Sequence, residues 1–95
     1  MHPNDEPSLA ARAPADVQRT GEYWVLIPQG PGQVAVVNDT GHRVYQHCDG
    51  TTTDAAITAA ITGASGTDPE VVARDVAAFL AQLLSAGLLT RQPQP

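Results

Sequence analysis

Gln33-Val34-Ala35-Val36-Val37-Asn38-Asp39-Thr40-Gly41 decides how this chain folds. Residues 33–37 carry no charge and no proline, and three of the five are valine, which suits extended backbone. Asn38, Asp39 and Thr40 follow at once, and their side-chain oxygens can accept the free N–H groups of a first helical turn. A strand therefore passes directly into a helix.

Working back from this junction, Pro28-Gln29-Gly30-Pro31-Gly32 reads as a loop. Tyr23-Trp24-Val25-Leu26-Ile27, rich in aromatic and β-branched residues, reads as a second strand. Gly21-Glu22 can turn the chain, and Val17-Gln18-Arg19-Thr20 is a weaker first strand. Such close strands predict an antiparallel meander in sequence order, with 33–37 at an edge.

Working forward, Gly41, Val44, Tyr45 and Cys48 fall at helical spacing, and Asp49-Gly50 ends that helix. A second helix starts at Thr53-Asp54, turns Ile57 and Ile61 to one side, and is expected to stop at Gly63. Asp68-Pro69 opens a third helix with an N-cap and a proline in the first turn. It runs to about Ala86, before Gly87. Val72, Val76, Phe79, Leu80 and Leu83 form its apolar stripe. Asp75, Gln82 and Ala86 flank the stripe on one side, and Ala73, Ala77 and Leu84 on the other. The expected fold class is α+β, a three-stranded antiparallel sheet packed on a three-helix bundle, winged-helix-like in outline.

Residues 33–37 are unusual for an edge. Small antiparallel sheets alternate apolar and polar residues, one face to the core and one to water. Here Val34 and Val36 point one way, Ala35 and Val37 the other, and neither set is polar. Natural edge strands usually carry a charge, a proline or a bulge that blocks further pairing. This one carries none, so it is covered by helices on both faces, is the central strand of the sheet, or is a template to which a peptide adds a strand.

The runs Val36-Val37-Asn38-Asp39-Thr40-Gly41, Val44-Tyr45 and Cys48-Asp49-Gly50-Thr51, followed by Asp75-Val76-Ala77-Ala78-Phe79-Leu80-Ala81-Gln82-Leu83 and Gly87-Leu88-Leu89, together resemble the PqqD-like proteins, also called RiPP recognition elements. The resemblance covers about residues 17–90. It departs at His47, where an apolar residue is usual. It implies a module without chemistry of its own, which binds the leader segment of a ribosomally made precursor peptide as an added strand. It further implies delivery of that leader to a modifying enzyme, a radical-SAM enzyme in the PqqD case. The implied peptide-contacting residues are Val34, Ala35, Val36 and Val37 on the strand, with Asp75, Phe79 and Gln82 on the third helix. The resemblance leaves open which flank of that helix meets the peptide.

Composition agrees with a small binding module. At 95 residues the chain is one domain, with residues 1–15 and 92–95 expected as flexible tails around a folded part at 16–91. Ten acidic residues outweigh five arginines, a net charge of −5, which disfavours nucleic acid and anionic membrane. The alternative, a winged-helix DNA-binding regulator, lacks a base-reading cation on its second helix, Thr53 to Thr62. No apolar run is long enough to span a membrane, and the start is unlike a signal peptide, so the expected location is the cytoplasm.

No cofactor, metal or catalytic set is expected. His42 and His47 are five apart and do not stack as an i,i+4 ligand pair. Cys48, the single cysteine, lacks the cationic neighbours that activate a thiol. Gly30-Pro31-Gly32 is followed by no Lys-Ser or Lys-Thr. Trp24 and Tyr23 read as core or sheet-face residues.

Overall fold

The computed structural model describes residues 8–93; the tail expectations for 1–7 and 94–95 lie outside the described residues. The element order is β1 (Ser8–Arg12), β2 (Ala15–Thr20), β3 (Tyr23–Pro28), β4 (Ala35–Val37), α1 (Asp39–His47), α2 (Asp54–Ser65), α3 (Pro69–Ser85) and β5 (Leu89–Pro93). The expected meander is present, β2-β3-β4 in sequence order and antiparallel throughout, with β4 at an edge. Three helices cover one of its faces, so the α+β class read from the sequence holds.

Capping sets the helix starts. The side chains of Asn38, Thr53 and Asp68 accept from the N–H groups of Gly41, Ala56 and Glu70. The end of α2 differs from expectation. Gly63 lies inside the helix, and Gly66, at φ 69°, takes the left-handed cap. A helical glycine costs only about 1 kcal/mol against alanine, too little to break a helix whose next turn can still bond.

A larger correction concerns residues 8–12 and 92–93, expected as tail, as was Ala15, the first residue of β2. Residues 8–12 form β1, which pairs antiparallel with β5 from Ser8↔Pro93 to Arg12↔Leu89. The other edge of β1 bonds the α1–α2 connection, through Arg12 N–H to Cys48 O and Gly50 N–H to Ala10 O. The Arg12 guanidinium donates to the carbonyls of Tyr45 and Gln46, neutralising the end of α1. Leu9 and Ala10 are buried. Alanine-rich sequence between prolines has little strand propensity. This strand exists because distant partners supply its hydrogen bonds, and because Ala10 is small enough for a site with no free space.

The core joins Leu26, Ala35 and Val37 of the sheet to Val44, Tyr45 and Cys48 of α1, Ile57 and Ile61 of α2, and the stripe of α3. Leu88 and Leu89 close it beneath β1. The α1–α2 connection is held by Asp49, whose Oδ1 accepts from the N–H and hydroxyl of Thr51 and the hydroxyl of Thr52. Those bonds hold its carboxyl down at about 2.

Two outcomes follow. Leu9→Ala should destabilise by about 2 kcal/mol or more and lower Tm on the order of 10 °C; an unchanged Tm would show that β1 is dispensable. Because the Asp49 pKa is depressed in the fold, its contribution is complete above the unfolded carboxyl value of about 3.9 and is lost as pH falls toward 2. Asp49→Asn should flatten the acid side of the stability profile in that window, measured by urea melts at several pH values.

Candidate functional site

The backbone of β4 is committed on one side and open on the other. Thr20 and Tyr23 close a two-residue turn in which Gly21 has φ 60°, so that pair exchanges both its N–H···O bonds. At the far end Gln29 N–H donates to Pro14 O at 3.0 Å, in the same phase. Bonded pairs alternate along an antiparallel ladder. Tyr23, Val25 and Ile27 therefore spend their main-chain groups on β2, and Trp24 and Leu26 spend theirs on β4. Their partners there are Val37 and Ala35. Val36 is left with its N–H and C=O pointing away from the sheet.

The side chains divide in the same alternation. Ala35 and Val37 are buried in the core, at 5% and 2% exposure, and hold the strand rather than offering contacts. Val34 and Val36, at 57% and 55%, stand on the outer face beside Val25 and Ile27. That face is apolar on β3 and β4 and polar on β2, where it carries Asp16, Gln18 and Thr20. Val34 lies outside the ladder, because Gln33 N–H bonds Ala86 O at the end of α3 instead of β3. Gly32 makes this possible: at φ 156°, its missing Cβ would stand 2.2 Å from that same carbonyl oxygen.

This bond and one ring contact orient α3. Phe79 is partly buried, and a Cβ at Gly41 would stand 2.7 Å from its Cε1 and 2.8 Å from Val37 Cβ. Ala86 and Phe79 thus both turn toward β4. Asp75 and Gln82 are exposed and share this flank by helical spacing. By helical spacing Phe79, Gln82 and Asp75 share one flank of α3, while Ala73, Ala77 and Leu84 turn away from it.

Behind β4 stands a brace with no signal in local sequence spacing. Trp24 and His42 stack with ring centroids 3.6 Å apart and 1° between planes. The indole Nε1–H donates to Asp39 Oδ1 at 2.8 Å, and the Arg19 guanidinium carbon lies 5.4 Å from the ring centroid. Partial burial lowers the pKa of His42, with Asp39 acting to raise it and Arg19 to lower it further. His42 is thus a half-buried packing residue that ties β3 to the start of α1.

Cys48 is fully buried, with Sγ 3.1 Å from Val44 O, and burial pushes its thiol up to about 11. Among the described residues no three of His, Cys, Asp and Glu converge as metal ligands would, and no helix is long and apolar enough to cross a membrane.

A family model described as coenzyme PQQ synthesis protein D (PqqD) matches residues 23–89, from the start of β3 to the start of β5. No curated protein and no solved structure matches the chain.

The state of Cys48 predicts its reactivity. Iodoacetamide at pH 8 should alkylate the folded protein far more slowly than the urea-unfolded chain, since the thiolate is the nucleophile and is both scarce and covered. Equal rates would place the thiol at the surface.

Proposed function

The chain belongs to the PqqD family, and from that premise we propose that it binds the leader segment of a ribosomally made precursor peptide by β-strand addition to β4. It presents the leader to a modifying enzyme of coenzyme PQQ synthesis or of a related peptide pathway, a radical-SAM enzyme or another maturase, in the cytoplasm. The observation that carries this reading is the open main chain of Val36, on an edge without charge, proline or bulge; in this reading the Phe79–Gln82–Asp75 flank of α3 is the other wall of the peptide groove. Edges of that kind accept peptide strands.

The division of labour follows from the geometry. Main-chain bonds to Val36 supply affinity that is blind to sequence, each bond worth about 0.5–1.5 kcal/mol net. The exposed side chains of Val34 and Val36 on one face, and of the α3 flank on the other, read alternate residues of the added strand. The protein needs no catalytic group for this work, in keeping with a non-enzymatic accessory role. Ordering a flexible leader carries an entropic penalty, so affinity should be on the order of micromolar.

Val36→Pro removes the open N–H and sets a ring against the partner. In an NMR titration with the precursor peptide encoded beside the gene, the wild type should show shifts at residues 33–37 and on the Asp75–Phe79–Gln82 flank. The variant, folded by circular dichroism, should show no saturable binding. Retained affinity in the folded variant, or shifts centred on α2, would sink the reading.

A further inference from the structure

The groove beside β4 is closed at one end and open at the other. It is closed where Gln33 bonds Ala86 and where Gly32 packs on the start of the Gly87 turn. From Ala86 back to Asp75 the flank of α3 runs about 16 Å, the length of about five residues of extended strand. A strand on β4 therefore reaches from the closed end to the first turns of α1 and α3. There the surface drops into a pit of about 90 Å³ lined by Thr40, Ile61, Thr67, Val72 and Asp75.

The chemistry of the pit is specific. Ile61 and Val72, both nearly inaccessible, make its floor, and Asp75 stands exposed at its rim. Val71, one turn before Asp75 and 46% exposed, extends the apolar surface along the same flank. An apolar cavity of about 150 Å³ admits a benzene ring, so 90 Å³ suits a branched aliphatic side chain and excludes an aromatic one. Arg74 is next to Asp75 in sequence but about 100° around the helix, where adjacent side chains do not face each other. The Asp75 carboxylate is thus available to a cation on a bound peptide.

Resting on the strand-addition reading above, we infer that this pit is the specificity subsite. It takes one Val, Ile or Leu side chain of the leader, and Asp75 pairs with a Lys or Arg two positions away on the same face of the strand. Residues two apart share a face, so the two contacts require one fixed spacing. The leader class is therefore an extended segment with an aliphatic and a basic residue in alternate positions. Exchanging the aliphatic residue for alanine should weaken binding ~tenfold or more. Exchanging the basic residue for glutamine should weaken it ~2–5-fold, as exposed pairs do.

Selection from a display library of random peptides about twelve residues long, more than the edge can pair, tests this on the full chain. Wild type should enrich the aliphatic-x-basic pattern in peptides that fail to bind Val36→Pro. Asp75→Lys, an exposed change that spares the core, should exchange the basic preference for an acidic one and leave the aliphatic position in place. Val72→Ala, checked for folding by its melting curve, should deepen the pit and admit larger side chains. Peptides that depend on Val36 but lack the aliphatic position, or keep their charge preference on Asp75→Lys, overturn the subsite and leave strand addition standing. Binders indifferent to Val36→Pro, or no binders at all, overturn both.

Discussion

The constraint that joins the helices to the edge strand is the meeting of Phe79, Gly41 and Val37. A single methyl group at Gly41 would stand 2.7 Å from the Phe79 ring and 2.8 Å from Val37 Cβ, distances that packed atoms do not tolerate. Three elements are fixed by this contact: α1 through its first turn, α3 through its stripe, and β4 through its buried face. The absence of a side chain at one position lets α3 approach the sheet edge. Were α3 held farther off, the ring of Phe79 would lose its seat, and the floor of the groove would open into a void. The bond from Gln33 to Ala86 fixes the other end of the same helix against the same strand. The position of α3 against β4 and the loop before it is thereby set at two points by backbone and ring, with no long flexible side chain involved.

The fold treats its exposed strand edges differently. β1 is bonded on both sides, to β5 and to the Cys48–Gly50 connection. The outer strand of the main sheet, β2, carries Asp16, Arg19 and exposed polar neighbours. β4 has neither cover nor charge. Its protection against indiscriminate pairing is length: three residues are in the ladder, and Val36 alone of these turns its main chain outward. Short edge strands are a known way to limit association. A strand added at this edge could form few main-chain bonds with the ladder itself, so the strand-addition proposal leaves discrimination to side chains beyond it.

Local chemistry made much of this legible in the sequence. The caps at Asn38, Thr53 and Asp68, the loop at 28–32 and the stripe of α3 are each written in a few neighbouring residues, and the meander followed from short connections. The elements that escaped are those made by distant partners. β1 is invisible in Ser8–Arg12 because alanine has no strand preference, and its stability comes from residues some forty and eighty positions away. Gly63 read as a stop because the sequence cannot say which of two nearby glycines meets the left-handed turn. The Trp24–His42 stack joins β3 to α1 by direct ring contact, and it depends on register. The side-chain alternation of Val34 and Val36 against Ala35 and Val37 was legible too, but not which pair is buried, nor the alternation of bonded and open main-chain groups along β4. That alternation required the phase of the hydrogen-bond ladder, which the tight turn at Gly21 sets.

That phase bears on how the site can work. A strand that must first change conformation to accept a partner loses affinity to the reorganisation. Here Val36 is presented by a ladder whose phase is fixed from the far side of the sheet, by the Gly21 turn and by the Gln29–Pro14 bond. From behind, the stacked Trp24 and His42 and the indole bond to Asp39 hold β3 and α1 in register. The ordering cost of association then falls on the flexible partner. For the proposed binding of a peptide strand, a rigid edge with a weak, sequence-blind main chain separates selectivity from the edge itself, because changes on α3 leave the ladder unaltered. The strand-addition proposal puts affinity on β4 and specificity on α3, two elements that the Phe79–Gly41 contact keeps at a constant separation.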